Sequence, residues 1–314
     1  MKITILDAAT LGADVDFSPF SEWEVEKFET TAEDEIARRL EKSDVAVINK
    51  LKMNAQTLQG VENLRLICVC ATGYDNIDLD YCKSKNIALC NVPGYSTDSV
   101  AQLTFAMALS LMGRLSEYRE FVHSGAYSKG TVANRLEPVW QELQGKTWGI
   151  LGGGNIGGKV AKIADAFGCK VLVCRKKQEQ VYASADIDTL CKKADILSIH
   201  LPLNQETFHI INKERLGMMK KGAVLINVAR GAVTDEAAVA EAFLEGRLGG
   251  LGVDVYSAEP MPEDHPFHAL LDFPNVILTP HTAWGSIEAR NRCLFEVAEN
   301  IRDFENGGNR NRIV

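Results

Sequence analysis

An α/β fold, with one doubly wound parallel sheet and a second, smaller α/β unit, is predicted by three observations. Apolar runs of strand length alternate with helical patterns along most of the 314 residues. One run, Thr147–Leu151, opens onto three spaced glycines, then an amphipathic helix and another apolar run. Ahead of it lies a long helical pattern, Val100 to about Arg114, that is apolar on nearly every side. Such a helix is expected between layers or domains and is a natural crossing from one to the next.

The elements follow in order. Lys2–Leu6 reads as a strand. Thr30 and Glu33 make a capping box ahead of the helical positions Ile36, Ala37 and Leu40. Val45–Ile48, Leu64–Cys70 and Ile87–Val92 are apolar strands, the last stopped by Pro93-Gly94. These belong to a mostly parallel sheet covered on both faces. The long helix opens at Asp98 or Ser99. Gly125–Glu142 is rich in turn residues and is expected on the outside. Strands are then predicted at Thr147–Leu151, Lys170–Cys174, Ile196–His200, Ala223–Val228, Gly250–Val255 and Val276–Thr279. Helices separate most of them, at Asn155–Phe167, Ile187–Lys193, Lys213–Met219 and Asp235–Glu245. Glu288–Phe304 is a last amphipathic helix that crosses back to the first unit.

Composition narrows the function. The 46% hydrophobic and 24% charged content suits an ordinary globular core. A net charge of -8 argues against a nucleic-acid surface. No apolar run is long enough to span a membrane, and MKITILDAAT reads as a strand, not a signal peptide. The eight cysteines include Cys68, Cys70, Cys90 and Cys174 inside apolar runs, with no C-x-x-C and no zinc-type Cys/His spacing. They read as reduced thiols of a cytoplasmic protein without a metal.

The glycine stretch carries the first chemistry. Gly152 makes a tight turn after the strand, Gly154 lets a pyrophosphate approach the backbone, and Gly157 lets helix and strand pack closely. The helix N-terminus offers N–H groups and the positive dipole end to phosphates. Strand, turn, helix and strand in this order predict a Rossmann-type dinucleotide site.

In such a sheet the ligand lies beyond the carboxyl ends of the strands. Three residues there stand out: Arg230 in INVARG, Glu259 in DVYSAEP and His281 in ILTPHTAW. Arginine binds a carboxylate through two parallel hydrogen bonds, and histidine moves protons near neutral pH. With a nicotinamide they suit reduction of a 2-keto acid. Arg230 would hold the carboxylate, and His281, kept protonated by Glu259, would give the proton. Each taken singly has a plainer reading: an ion pair, a solvated loop carboxylate, one of six histidines.

The chain resembles the D-isomer-specific 2-hydroxyacid dehydrogenase family through ATGYDNID at Ala71–Asp78, TDSVAQLTFAMAL at Thr97–Leu109, LGGGNIGGKVA at Leu151–Ala161, HLPL at His200–Leu203, NVARG at Asn227–Gly231, GVDVYSAEP at Gly252–Pro260 and TPHTAW at Thr279–Trp284. The resemblance implies that Arg230, Glu259 and His281 are catalytic. It implies a flavodoxin-like substrate domain at 1–96 and 286–314, and a dinucleotide-binding domain at 97–285. It also implies cofactor contacts at Thr104, Gly152, Gly154, Asn155, Ile156, Gly157, Leu201, Pro202, Thr207, Val228, Ala229, Arg230, Asp254, His281 and Ala283, with Asp254 on the carboxamide. Backbone N–H groups at Thr72 and Gly73 would bind the substrate carboxylate beside Arg230 and His281. A homodimer built on the long helix and the segment after it is implied as well. ILDAATLGADVD, INK at Ile48–Lys50 and NVPGYSTDSVAQ look most like glycerate dehydrogenases, also called hydroxypyruvate reductases, with Lys50 at the substrate end. Hydroxypyruvate or glyoxylate is then the expected substrate.

The family's NAD-using members carry an acid at the end of the second strand, for the ribose hydroxyls. Here Arg175, Lys176 and Lys177 stand there. A basic cluster attracts a 2′-phosphate, so NADP is expected ahead of NAD. Other readings on the same fold are a cofactor-sensing corepressor, phosphite oxidation, a bulkier 2-keto acid, and a formate-type enzyme, in which Gln replaces the acid. Glu259 favours acid–base work.

Overall fold

The computed structural model describes residues 1–175 and 181–314. The chain divides into two compact units, Met1–Ser96 with Trp284–Val314, and Thr97–Ala283. The return falls at 283/284, against the expected 285/286.

The first unit contains β1 (Lys2–Ile5), β2 (Glu24–Lys27), α1 (Ile36–Leu40), β3 (Val45–Ile48), β4 (Leu66–Val69), α2 (Leu79–Ser84) and β5 (Ala88–Cys90). All pairings are parallel, in the order β2-β1-β3-β4-β5, which is the flavodoxin-like order. One face of this sheet packs with Phe20, Leu294, Val297 and Ile301, and the other with Ile36, Leu40, Met53 and Leu58. Two expectations are corrected. Strand β2 was not foreseen, because all four of its side chains are exposed and EVEK carries no apolar run. The capping box is not Thr30 with Glu33. Glu35 reaches back to the Ala32 N–H, while the Thr31 hydroxyl donates to the Leu6 carbonyl.

The second unit opens with α3 (Thr97–Met112), α4 (Leu115–His123) and α5 (Ala126–Lys129). Next come β6 (Thr147–Leu151), α6 (Asn155–Ala166), β7 (Lys170–Cys174), β8 (Ala183–Ser184), α7 (Ile187–Lys193), β9 (Ile196–Ile199), α8 (Lys213–Met218), β10 (Ala223–Asn227), α9 (Glu236–Leu244), β11 (Leu248–Val253) and β12 (Val276–Leu278). The sheet is parallel, in the order β12-β11-β10-β9-β6-β7-β8. Strand order reverses between β6 and β9, the switch point of a Rossmann sheet. Helix α3 starts one residue before the expected Asp98. Its burial is one-sided: Val100, Thr104, Met107 and Leu111 are buried, whereas Gln102, Ala106 and Leu109 are exposed. The four-residue α5 and the two-residue edge β8 lack the length that gives a period, and they were not foreseen; neither was α4, a separate helix that follows α3 after Gly113 and Arg114. Helix α10 (Ile287–Glu305) belongs to the first unit. Among the described residues no helix is long and apolar enough to cross a membrane, and no His/Cys/Asp/Glu group could hold a metal. All eight cysteines are free thiols, seven of them buried.

Candidate active site

At the end of β6 the chain must turn within three residues, 152–154, to start α6. Gly152 does this at φ +105°, where a Cβ would lie 2.6 Å from the His200 carbonyl oxygen. Gly157, on the first turn of α6, lies against that turn; a Cβ there would be 1.8 Å from the Gly152 oxygen. Gly154 is different. It is exposed, and a Cβ on it would meet nothing within 4 Å. It is the N-cap of α6, with no side-chain cap and no acid in the first turn. An exposed helix N-terminus with room above its backbone fits a pyrophosphate. Asn155 is exposed and Ile156 half-buried beside it.

Arg175 follows β7, and its side chain lies along the turn: a Cβ built on Gly153 would meet Arg175 Cδ at 2.8 Å. Lys176 and Lys177 lie outside the described residues. Of the other expected cofactor residues, Leu201 and Pro202 are accessible after β9. Thr207 closes that loop by donating to the Pro202 carbonyl at 2.7 Å. Val228 and Ala283 are buried and Ala229 is half-buried. Thr104 and Asp254 have no exposed surface. The Thr104 hydroxyl donates back to Val100 at 2.8 Å. Asp254 organises the segment after β12. Its Oδ1 accepts from the Thr279 hydroxyl at 2.6 Å and the Thr282 N–H at 2.8 Å, and its Oδ2 accepts from the Ala283 N–H at 2.9 Å.

Adjacent strands β10, β11 and β12 bring Arg230, Glu259 and His281 to the same end of this sheet. His281 Nδ1 and Glu259 Oε2 are 2.6 Å apart, and the Tyr256 N–H donates to Glu259 Oε1 at 3.0 Å. A carboxylate on Nδ1 fixes the orientation of the ring. His281 is held at φ +54°, with its N–H donating to Asp254 O at 2.8 Å and Thr279 O at 3.0 Å. A left-handed histidine stores strain that surrounding contacts must hold. Arg230 donates from Nη1 to the Ala229 carbonyl at 2.8 Å, and its own carbonyl accepts from Asn227 Nδ2 at 3.0 Å.

In the first unit, Asp7 pins the turn after β3. Its carboxylate accepts the Asn49 N–H at 2.9 Å and the Lys50 N–H at 2.7 Å. Lys50 itself is exposed, with Nζ 5.7 Å from the Trp284 ring centre. Thr72 is exposed and Gly73 partly so; the Thr72 hydroxyl donates to the Val92 carbonyl at 2.9 Å.

The family model described as D-isomer specific 2-hydroxyacid dehydrogenase, NAD binding domain, matches residues 105–283. The chain belongs to the D-isomer specific 2-hydroxyacid dehydrogenases. It is an NAD(P)-dependent oxidoreductase. A glycerate dehydrogenase of Methylorubrum extorquens is 34% identical over 307 residues, covering 98% of this chain and 96% of that protein. A D-lactate dehydrogenase of Aquifex aeolicus, complexed with NAD and lactic acid, superposes with a TM-score of 0.87 at 31% identity, over 98% of this chain and 96% of that one. An acyclic imino acid reductase in complex with NADPH and D-Arg has a TM-score of 0.90 at 30% identity, with both chains fully covered.

Two side chains of this dehydrogenase had no functional signal in the sequence. Burial pushes the Tyr256 hydroxyl up to about 12, so it stays a donor, and it bonds the Thr279 carbonyl at 3.1 Å. Tyr256 thus touches the Glu259 loop through its N–H and the His281 segment through its hydroxyl. His200, the residue after β9, is desolvated and pushed down to about 3. Its Nε2 is 3.0 Å from Ser198 Oγ, and among the described residues no polar atom meets Nδ1. The unfolded histidine binds a proton below about 6.5, and the folded one does not until about 3. Stability from this group is present above about pH 6.5 and is lost as the pH falls toward 3, by up to about 1.4 kcal/mol per pH unit. His200→Gln should therefore flatten the acid limb of unfolding free energy against pH. An unchanged limb would show that His200 does not set it.

Proposed function

We propose that this enzyme reduces hydroxypyruvate or glyoxylate, to D-glycerate or glycolate, and prefers NADPH. The observation that carries the acid–base part is the 2.6 Å His281–Glu259 pair, with Arg230 at the neighbouring strand end. Arg230 binds the substrate carboxylate and polarises the keto oxygen. A nicotinamide dinucleotide with its pyrophosphate held at Gly152, Gly154 and Gly157 would supply the hydride for the carbonyl carbon. His281 gives the Nε2 proton to the oxygen, and Glu259 stabilises the imidazolium beforehand. Oxidation uses the same groups in reverse. Backbone N–H groups at Thr72 and Gly73 serve the carboxylate, and Lys50 serves the far end of the substrate. The glycerate dehydrogenase relative supports this substrate class.

The NADPH preference is supported by the place of Arg175 on the turn. A homodimer is supported by exposed apolar side chains on and after α3, among them Leu109, Leu115, Val122, Leu136, Val139 and Trp140. Eight free thiols support a reducing, cytoplasmic setting.

A panel of glyoxylate, hydroxypyruvate, pyruvate and phenylpyruvate with each cofactor tests the reading. The first two should be the best substrates, and no turnover of any would sink it. In the same assay Arg175→Asp should lower the NADPH-to-NADH ratio of kcat/KM by about 10–100-fold, the worth of one charged hydrogen bond. An unchanged ratio removes the NADPH preference.

A further inference from the structure

We propose that Glu236 is a positioning residue for the acid–base pair, acting through the loop that carries Glu259. This rests on the reading of Glu259 and His281 as that pair.

Glu236 is the first residue of α9, and only 8% of its surface is exposed. The helix is capped by its neighbour Asp235, which accepts from the Ala238 N–H at 3.1 Å. The Glu236 carboxylate instead turns to the chain after β11. Its Oε1 accepts the Ser257 N–H at 2.9 Å, and its Oε2 accepts the Ser257 hydroxyl. Buried His265 places Nε2 3.0 Å from the same Oε2. The tautomer follows from the other side of that ring, where the Phe267 N–H donates to Nδ1 at 3.2 Å. Nδ1 therefore carries no proton, and a neutral imidazole donates from Nε2. Three donors converge on one buried carboxylate at a helix N-terminus.

The consequence lies on either side of Ser257, at Tyr256 and Glu259. Residues 257–260 are exposed, so burial does not hold this loop. The Glu236 bonds fix Ser257. They thereby fix Tyr256, whose N–H meets Glu259 Oε1 and whose hydroxyl meets Thr279 O. The Tyr256 ring is braced edge-on against His265, with centroids 5.7 Å apart. The loop also rests on Gly231, next to Arg230; a Cβ at Gly231 would lie 2.0 Å from the Tyr256 carbonyl carbon. One carboxylate outside the reacting set thus holds the acid's partner in register. Proton transfer tolerates little displacement of such groups.

The test is a double-mutant cycle on the full-length enzyme, reading kcat, the KM for the keto acid and the Kd of NADPH. In Glu236→Gln an amide NH₂ takes the place of one acceptor oxygen and faces one or two of the three donors, so the loop loses part of its anchor. We expect kcat to fall about 10–100-fold, with KM and cofactor Kd unchanged. The variant carrying both Glu236→Gln and Glu259→Gln should be no slower than Glu259→Gln alone, because Glu236 acts only through Glu259. Losses that multiply, or a lowered Tm with unchanged kcat, overturn the inference and leave Glu236 as a stability residue. If Glu236→Gln does not fold, Ser257→Ala carries the same test, since it removes one hydroxyl donor from an exposed site. Its smaller loss of kcat must also vanish in the Glu259→Gln background, and persistence there overturns the inference. An unchanged kcat in Glu259→Gln overturns the pair itself. A slow Glu259→Gln beside a wild-type Glu236→Gln overturns only the positioning role.

Discussion

Replacing His281 by alanine is expected to lower kcat for keto-acid reduction by about 10²–10⁴-fold, the usual worth of a positioned general acid. Cofactor affinity should be unchanged. The histidine's imidazole meets the Glu259 carboxylate at 2.6 Å, and its backbone N–H meets Asp254 and Thr279. Its φ of +54° complicates the alanine variant, because alanine tolerates a left-handed backbone poorly. His281→Asn is the matched control. Asparagine accepts that conformation but cannot act as the acid at neutral pH. Both variants should show the same loss of turnover in steady-state assays, with wild-type NADPH binding by fluorescence titration. Parallel loss of cofactor binding in both would make His281 structural.

Gly157→Ala is expected to damage the whole cofactor turn. The added methyl would lie 1.8 Å from the Gly152 carbonyl oxygen. That atom belongs to the backbone of a turn at φ +105° and cannot swing aside as a side chain can. Overpacking at so rigid a place should reach about 3 kcal/mol, lowering Tm by about 6–12 °C for a unit of this size. Cofactor Kd should rise with it, because the α6 N-terminus is displaced. Gly154→Ala separates the two effects. Its Cβ meets nothing within 4 Å, so Tm should hold while cofactor binding weakens. A wild-type Tm in Gly157→Ala would show that the turn can open, contrary to its tight packing.

These variants differ in how far ahead they could be read. Gly152 and Gly157 announce themselves because a tight strand–turn–helix imposes a local spacing on the chain. Strands β6 and β7 are visible for a related reason, since a buried parallel strand needs an unbroken apolar run and is bounded by its own turn residues. Arg230, Glu259 and His281 were legible as residue types following three strands. Strand β2 was not, because its partner β1 supplies the hydrogen bonds and solvent takes all its side chains. The apolar pattern of α3 marked it as a buried helix, yet Gln102, Ala106 and Leu109 face solvent within the single chain.

Local pattern, then, was enough for the α/β class, the glycine turn, most of the strands and the three polar residues that follow β10, β11 and β12. Periodicity, turn chemistry and steric need act over a few residues, and the residues themselves carry them. The strand order in space and the partners of each polar atom came only with the tertiary fold. Glu236 meets Ser257 and His265 across 21 and 29 positions, and Asp254 meets Ala283 across 29. A buried carboxylate is settled by whichever donors the packed chain brings to it, and no local spacing records which those are.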